Sequence, residues 1–332
     1  MKKFFKGLLL LLILLIIVYF AGPKAPKAKI DAELPIINAT TQTVEAYVAL
    51  QEAQVENIKP NNASSIVWAD SVGQKTPYVL VYLHGFSASP MEGDPIHFET
   101  AERYDCNLYL PRLYGHGIAT EDAFLDLTPE KLMATAKEAI AVGKLLGDSL
   151  ILMSCSTGGT LSLYLAAHHP EIASIITYAP NIDIADKTSA VLVMPWGLQL
   201  TRKAMGGKYR EFAASDEAKK YWTHRYRLEG LVALKSLLKA TMKESTFQAI
   251  KQPVFAGYYY KNEDEKDDIV SIDRINEMFE QLGTPDKLKR KVAFANANTH
   301  VINSKLMSEE IERVRQETFK FCEEVLGLQA KD

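Results

Sequence analysis

The chain has 332 residues, 47% hydrophobic and 24% charged, a length and balance that allow a large core and fit one domain with an insertion better than two independent domains. Its 38 basic and 41 acidic residues leave a net charge of −3, and no basic stripe is interleaved with aromatics, so nucleic acid is set aside as a partner. Cys106, Cys155 and Cys322 are an odd set without Cys-x-x-Cys spacing, which argues against both a disulfide framework and a zinc site; no internal repeat or phosphate-binding glycine loop is found.

The first element is a basic start, Met1 to Lys6, followed by an uncharged apolar run that ends at Gly22. The 16 residues between Lys6 and Pro23 fall just short of the ~17 needed to span a bilayer and just above the ~7–15 of a signal-peptide core. Tyr19 stands third from last ahead of Ala21, where a cleavage site wants a small residue, so an uncleaved anchor is expected, with secretion after cleavage as the alternative. Lysines flank both sides and leave orientation open by charge count; the usual behaviour of such N-termini puts the rest of the chain outside the cytoplasm. The lack of a cysteine after the run argues against a lipoprotein.

Ala25 to Ile37, rich in proline and lysine, reads as a tether, and Thr43 to Val55 has helical character. From about residue 64 strands alternate with helices, which predicts a mostly parallel sheet covered on both faces. Tyr78 to Leu83 is an apolar strand that ends in His84-Gly85-Phe86, and Thr128-Pro129-Glu130 opens a helix with a side-chain cap, a proline in the first turn and a favourable acid. Leu150-Ile151-Leu152-Met153 is apolar throughout, as in a strand buried on both faces, and Thr160 to Ala167 reads as the helix after it. Between them Ser156 falls on a sharp strand-to-helix turn, with the small residues Ser154 and Gly158 two positions either side; the Gly-x-Ser-x-Gly pattern is matched in size though not in letter. A strand at Ser174 to Pro180 is followed by more residues than a loop would hold, with helical patterning at Leu231 to Met242 and an apolar stretch from Val191 to Leu198. The next strand, Pro253 to Tyr260, runs into the acidic loop Asn262 to Val270, and Lys291 to His300 is a strand and loop that deliver a histidine.

These stretches assemble into one chemistry. Ser156 is the candidate nucleophile, the backbone N–H groups of Phe86 and Thr157 the candidate oxyanion hole, His300 the general base, and one acid of the loop its orienting partner. His84 and His116 read as loop braces, and His168 and His169, closing a helix before Pro170, as structural. Alternation along the strand turns Cys155 into the core.

The order nucleophile, acid, histidine, with His84-Gly85-Phe86 ahead of it, resembles the α/β-hydrolase superfamily from about residue 60 to the end. Within it the chain is similar to the monoacylglycerol lipase and carboxylesterase group, itself like the S33 aminopeptidases; Pro111-Arg112-Leu113-Tyr114-Gly115-His116-Gly117 is similar to that group's Gly-His-Gly loop. The resemblance implies that the acid stands three residues before a valine, which maps to Asp267 before Val270, with Asp264 and Asp268 as neighbouring alternatives. It also implies an α/β-hydrolase fold with a helical cap. The expected division is an anchor at residues 1–22, a tether and helix at 23–60, a first core part at 61–184, a cap at 185–251 and a second core part at 252–332. The activity implied is hydrolysis of acylglycerol or other acyl esters, with no metal or organic cofactor. S33-type peptide or amide hydrolysis is the alternative, and a non-catalytic binding protein on the same fold a third reading. The expected partners are a small acyl ester and, through residues 1–22, a membrane; oligomeric state is left open.

Overall fold

A computed structural model describes residues 1–331. The apolar N-terminal run forms helix α1 (Lys2–Ala21), long and apolar enough to cross a membrane, with none of its residues buried. The stretch after it lies along the core as a strap rather than standing free. Ile30, Leu34 and Ile37 pack on the core, the Lys29 N–H donates to Glu130, and His169 Nε2–H donates to the Ala32 carbonyl at 2.7 Å. Helix α2 (Val44–Glu52) follows, shorter at both ends than the helical patterning around it.

The sheet has seven strands. In chain order come β1 (Ser65–Val67), β2 (Thr76–Leu83), helix α3 (Ile96–Arg103), β3 (Asn107–Leu110), helix α4 (Pro129–Leu146), β4 (Gly147–Cys155), helix α5 (Thr157–His168) and β5 (Ile172–Tyr178). The segment beyond β5 holds helix α6 (Gly197–Ala204), strand β6 (Tyr209–Glu211), helix α7 (Asp216–Tyr221), strand β7 (Arg225–Arg227) and helices α8 (Leu228–Thr241) and α9 (Glu244–Ala249). Strand β8 (Val254–Tyr259), helix α10 (Ile272–Gln281), strand β9 (Lys289–Phe294) and helix α11 (Ile311–Glu324) complete the chain. The strand order is β1-β3-β2-β4-β5-β8-β9, parallel except for β1.

Side-chain alternation builds two cores from the same strands. Val79, Val81, Leu83, Leu150 and Leu152 face the layer of α4, α5 and α8, whereas Leu80, Tyr82, Ile151, Met153 and Cys155 face that of α3 and α11. Both faces are therefore dry, which is why β2 and β4 read as continuous apolar runs. Helix α4 begins as its sequence dictates: the Thr128 side chain accepts the Lys131 N–H at 3.2 Å and Pro129 occupies the first turn. The segment between β5 and β8 differs from an all-helical one, because β6 and β7 pair as a short antiparallel ribbon. Three-residue strands hold too few residues for a period of two to register.

After β2 the chain moves outward to β3 and then returns across β2 to β4, so strand order reverses between β2 and β4. Such a switch point opens a crevice at the carboxyl ends of the strands, and there the loops after β2 and β4 meet. Contact is close: a Cβ on Gly158 would lie 1.8 Å from the Leu83 carbonyl oxygen. Gly158→Ala should accordingly overpack the junction by about 1–3 kcal/mol and lower the melting temperature by a few to about ten degrees. Gly207→Ala, where the added carbon meets nothing within 4 Å, should leave it unchanged. Equal melting temperatures for the two variants in calorimetry would contradict this packing.

Candidate active site

Ser156 stands between β4 and α5 with φ +51° and ψ −114°, a conformation that costs a non-glycine residue about 1–3 kcal/mol. The surrounding backbone holds it there. Ser156 N–H donates to the Tyr178 carbonyl at 2.9 Å, and the Ser156 carbonyl accepts the Asn181 N–H at 2.9 Å. Small neighbours make the turn possible: Ser154 is fully buried under it, and a Cβ on Gly159 would press to 2.5 Å from Thr177 Oγ1. The Thr157 N–H lies in the first turn of α5, where no intrahelical acceptor exists.

The loop after β8 bends so that Asp267 turns inward while Asp264 and Asp268 stay exposed. Asp267 Oδ1 accepts the Ile269 and Val270 N–H groups at 2.9 and 3.1 Å, and Oδ2 accepts His300 Nδ1–H at 2.6 Å. One carboxylate is thus locked by its own backbone turn before it meets the imidazole, which fixes the ring and leaves Nε2 as the acceptor nitrogen. His300 Nε2 is buried without a hydrogen-bond partner among the described residues. Burial alone would lower the His300 pKa, but the charge and hydrogen bond of Asp267 outweigh it, with Glu92 and Asp268 adding to the effect, and the net shift is upward from 6.5. No hydrogen bond joins Ser156 Oγ to His300 Nε2 in this structure, a looseness common where no substrate is bound.

His84-Gly85-Phe86 turns away from the end of β2, and the Phe86 N–H meets no acceptor among the described residues. The Phe86 ring sits in a wall with Phe124 and Tyr226, at centroid distances of 4.9 and 5.3 Å. His84 donates from Nδ1 to the Gly85 carbonyl at 2.9 Å and accepts the Leu113 N–H at Nε2, at 3.0 Å. His116 donates from Nδ1 to the Tyr114 carbonyl. Burial drives His84 well below its ordinary value and His116 down to about 4, so both remain neutral and tie the two loops together. Cys155 points into the core beneath the turn. A cavity of about 560 Å³ between α2 and the loop after β3, bordered by Glu52, Arg112 and Glu138, touches none of Ser156, Asp267 and His300.

Strand order, elbow and loop positions are those of an α/β-hydrolase: the chain has that fold. Searched against protein-family models, it matches none. Over 108 residues it is 33% identical to a thermostable monoacylglycerol lipase from Bacillus sp. (strain H-257), a stretch that makes up 32% of this chain and 42% of that relative, so the chain spans less than half of the curated relative it matches. Among solved structures it is similar to one of the metagenome-derived lipolytic enzymes LipS and LipT, with a TM-score of 0.64 and 17% identity over 80% of this chain and 98% of that one. A monoacylglycerol lipase from Paleococcus ferrophilus superposes with a TM-score of 0.56 and 16% identity over 78% and 96% of the two chains. The enol-lactonase of Burkholderia xenovorans LB400 does so at 0.51 and 14% over 79% and 97%. At these identities the solved structures speak for the fold, and chemistry must be argued from the site.

The structure brings Asp267 and His300 into contact, and sets Ser156, Thr157 and Phe86 at the same end of the sheet. It also reveals a polar group missing from the sequence argument. Glu92, in the turn after Phe86, is buried with its carboxylate on the Gly85 N–H at 2.7 Å. Its one sequence signal is an acid within a glycine- and proline-punctuated turn, which ordinarily marks a solvated loop. The Asp267 contact yields a direct expectation. With Asp267→Asn the main influences raising the His300 pKa vanish while burial persists, so that pKa should fall. Asp264→Asn should move it little. Imidazole titration by NMR reads both, and a His300 pKa unchanged by Asp267→Asn would break the assignment.

Proposed function

We propose that this chain is a serine hydrolase that cleaves carboxylic esters, acylglycerol or other acyl esters, through an acyl-enzyme. The observation that carries this reading is the 2.6 Å contact of His300 with a backbone-locked Asp267, at the sheet end where Ser156 is held at positive φ. His300 Nε2 takes the Ser156 proton as Oγ bonds to the ester carbonyl carbon. The oxyanion that forms accepts the Phe86 and Thr157 N–H groups, and Asp267 stabilises the imidazolium. Collapse expels the alcohol with the proton from His300; water, deprotonated by the same nitrogen, then releases the acid and restores Ser156. Because the base must be neutral and its pKa is raised above 6.5, kcat/KM should climb with pH through a value above 6.5.

Esters are favoured over peptides with a free amino terminus by the charges around the Phe86 wall. The insertion between β5 and β8 reaches this wall, since a Cβ on Gly230 would lie 3.2 Å from the Phe86 ring, and we read it as a cap. The acids there are already paired: Asp122 with Arg227, and Glu229 with Arg202 and Arg227. A substrate ammonium would find aromatic rings and neutralised carboxylates. Ser156→Ala should lower turnover of p-nitrophenyl esters by on the order of 10⁴–10⁶ with the fold intact, and Ser154→Ala far less. In the wild type, a graded series of such esters should be cleaved well ahead of aminoacyl-nitroanilides. The reverse preference would move the chain to the peptidase reading, and full activity in Ser156→Ala would remove the nucleophile.

Helix α1 is what supports a membrane anchor, while the placing of the hydrolase domain outside the cytoplasm rests on the usual behaviour of such N-termini. Its end is also fastened to the insertion. Trp196 Nε1–H donates to the Val18 carbonyl at 2.9 Å, satisfying an oxygen in the last turn, and the Trp196 N–H donates to the Pro23 carbonyl at 2.8 Å. With α1 in a membrane, Trp196 would stand at its boundary with water, where an indole prefers to lie. The mature chain should keep residues 1–22 and sediment with membranes, and deletion of residues 1–24 should release a soluble enzyme. A mature N-terminus near Gly22 in a soluble extracytoplasmic fraction would make the segment a cleaved signal peptide.

A further inference from the structure

Glu92 is a carboxylate in the dry centre of the molecule, 1% exposed, with no lysine or arginine paired to it among the described residues. An unpaired buried charge is costly and persists only where hydrogen bonds replace the lost water. Its partners each belong to a different part of the site. Glu92 Oε2 accepts the Gly85 N–H at 2.7 Å, the peptide immediately before the Phe86 oxyanion donor. The same oxygen accepts the Tyr82 O–H at 3.0 Å, and Tyr82 Oη accepts Asn303 Nδ2–H at 2.9 Å, three residues beyond His300. The Cys155 thiol, next to Ser156, also lies against the carboxylate. Gly85 is what lets these groups close together. A Cβ there would sit 2.8 Å from Glu92 Oε1 and 3.2 Å from Ser156 Cβ, so any side chain would part the acid from the nucleophile.

We propose that Glu92 is a positioning residue for the acyl-transfer step: its carboxylate holds the Gly85 N–H, in the peptide just before the one that carries the Phe86 N–H, and through Tyr82 and Asn303 it ties the oxyanion turn to the histidine loop. The proposal rests on Ser156 and His300 acting as nucleophile and base. The titratable groups facing Glu92 are Tyr82 from β2, Cys155 from β4 and His300 from the loop after β9. Burial pushes Tyr82 and Cys155 well above their ordinary values, so they stay neutral. Burial pushes Glu92 up to about 7, and its charge, after that of Asp267, raises the His300 pKa.

The test is ester hydrolysis by the full chain across pH for wild type, Glu92→Gln and Glu92→Asp. In Glu92→Gln, kcat should fall on the order of 10- to 100-fold, short of or equal to the loss of one oxyanion donor, with KM little changed. Its acidic limb should move to lower pH, because one of the charges that hold the His300 proton is gone. Glu92→Asp keeps the charge but shortens the reach, so kcat should fall while the limb stays nearer the wild-type position. Wild-type kcat in Glu92→Gln overturns the inference, as does a fall in kcat with an unmoved limb, which would reduce the residue to packing. Should Glu92→Gln fail to fold, Tyr82→Phe removes one tie of the network and should lower kcat several-fold; unchanged turnover there also overturns it. An inactive wild type would sink the hydrolase reading itself, a failure separable from that of Glu92.

Discussion

The approach of helix α5 to the end of β2 is the constraint on which the site depends. With the Gly158 α-carbon set against the Leu83 carbonyl, the chain leaving β4 has no room for a gradual turn, and the residue between strand and helix is forced to positive φ. That residue is Ser156. The strain it stores is met by the bonds it makes to Tyr178 and Asn181, and by the dry strands beneath it. The same closeness sets the Thr157 N–H beside the Phe86 turn, because both flank the point where strand order reverses. The proposed nucleophile and oxyanion donors are thus consequences of one packing contact.

Burial then sorts the ionisable groups by role. His84 and His116 are driven neutral and reduced to hydrogen-bonding struts between two loops. His300, largely enclosed, is pulled the other way because a carboxylate touches it. Asp267 can remain the partner in this setting because two backbone N–H groups take up its second oxygen. Glu92 has no lysine or arginine partner among the described residues and is held instead by the Gly85 N–H and by Tyr82, which in turn accepts from Asn303. The contrast between the two acids follows from where each loop begins: Asp267 after β8, beside the histidine loop, and Glu92 behind the oxyanion turn.

Much of this was legible in the sequence, for reasons that differ by element. The strands at Tyr78 to Leu83 and Leu150 to Met153 announce themselves because both faces are buried, and the helix at Pro129 because its cap, proline and acid agree. Ser156 and His300 follow from position after strands. The choice among Asp264, Asp267 and Asp268 does not, since three acids within five residues look alike until the turn through Ile269 and Val270 selects one to face inward. Asn303 was invisible because its partner Tyr82 is distant in sequence, and Glu92 because no spacing rule joins it to Tyr82 and Gly85. The strap from Ala25 to Ile37 has a linker's composition, and the three apolar residues that meet the core, with the hydrogen bonds to Glu130 and His169, keep it down. The ribbon of β6 and β7 is too short to carry a period.

The proposed chemistry stands or falls on the oxygen that attacks. Wild-type chain treated with a fluorophosphonate, then digested and mapped by tandem mass spectrometry, should carry one phosphonyl group, on Ser156. Its appearance should follow the deprotonation of a single base with a pKa above 6.5. A group found instead on Ser154, on Cys155 or on no residue of the elbow would contradict the proposed chemistry, whatever the fold.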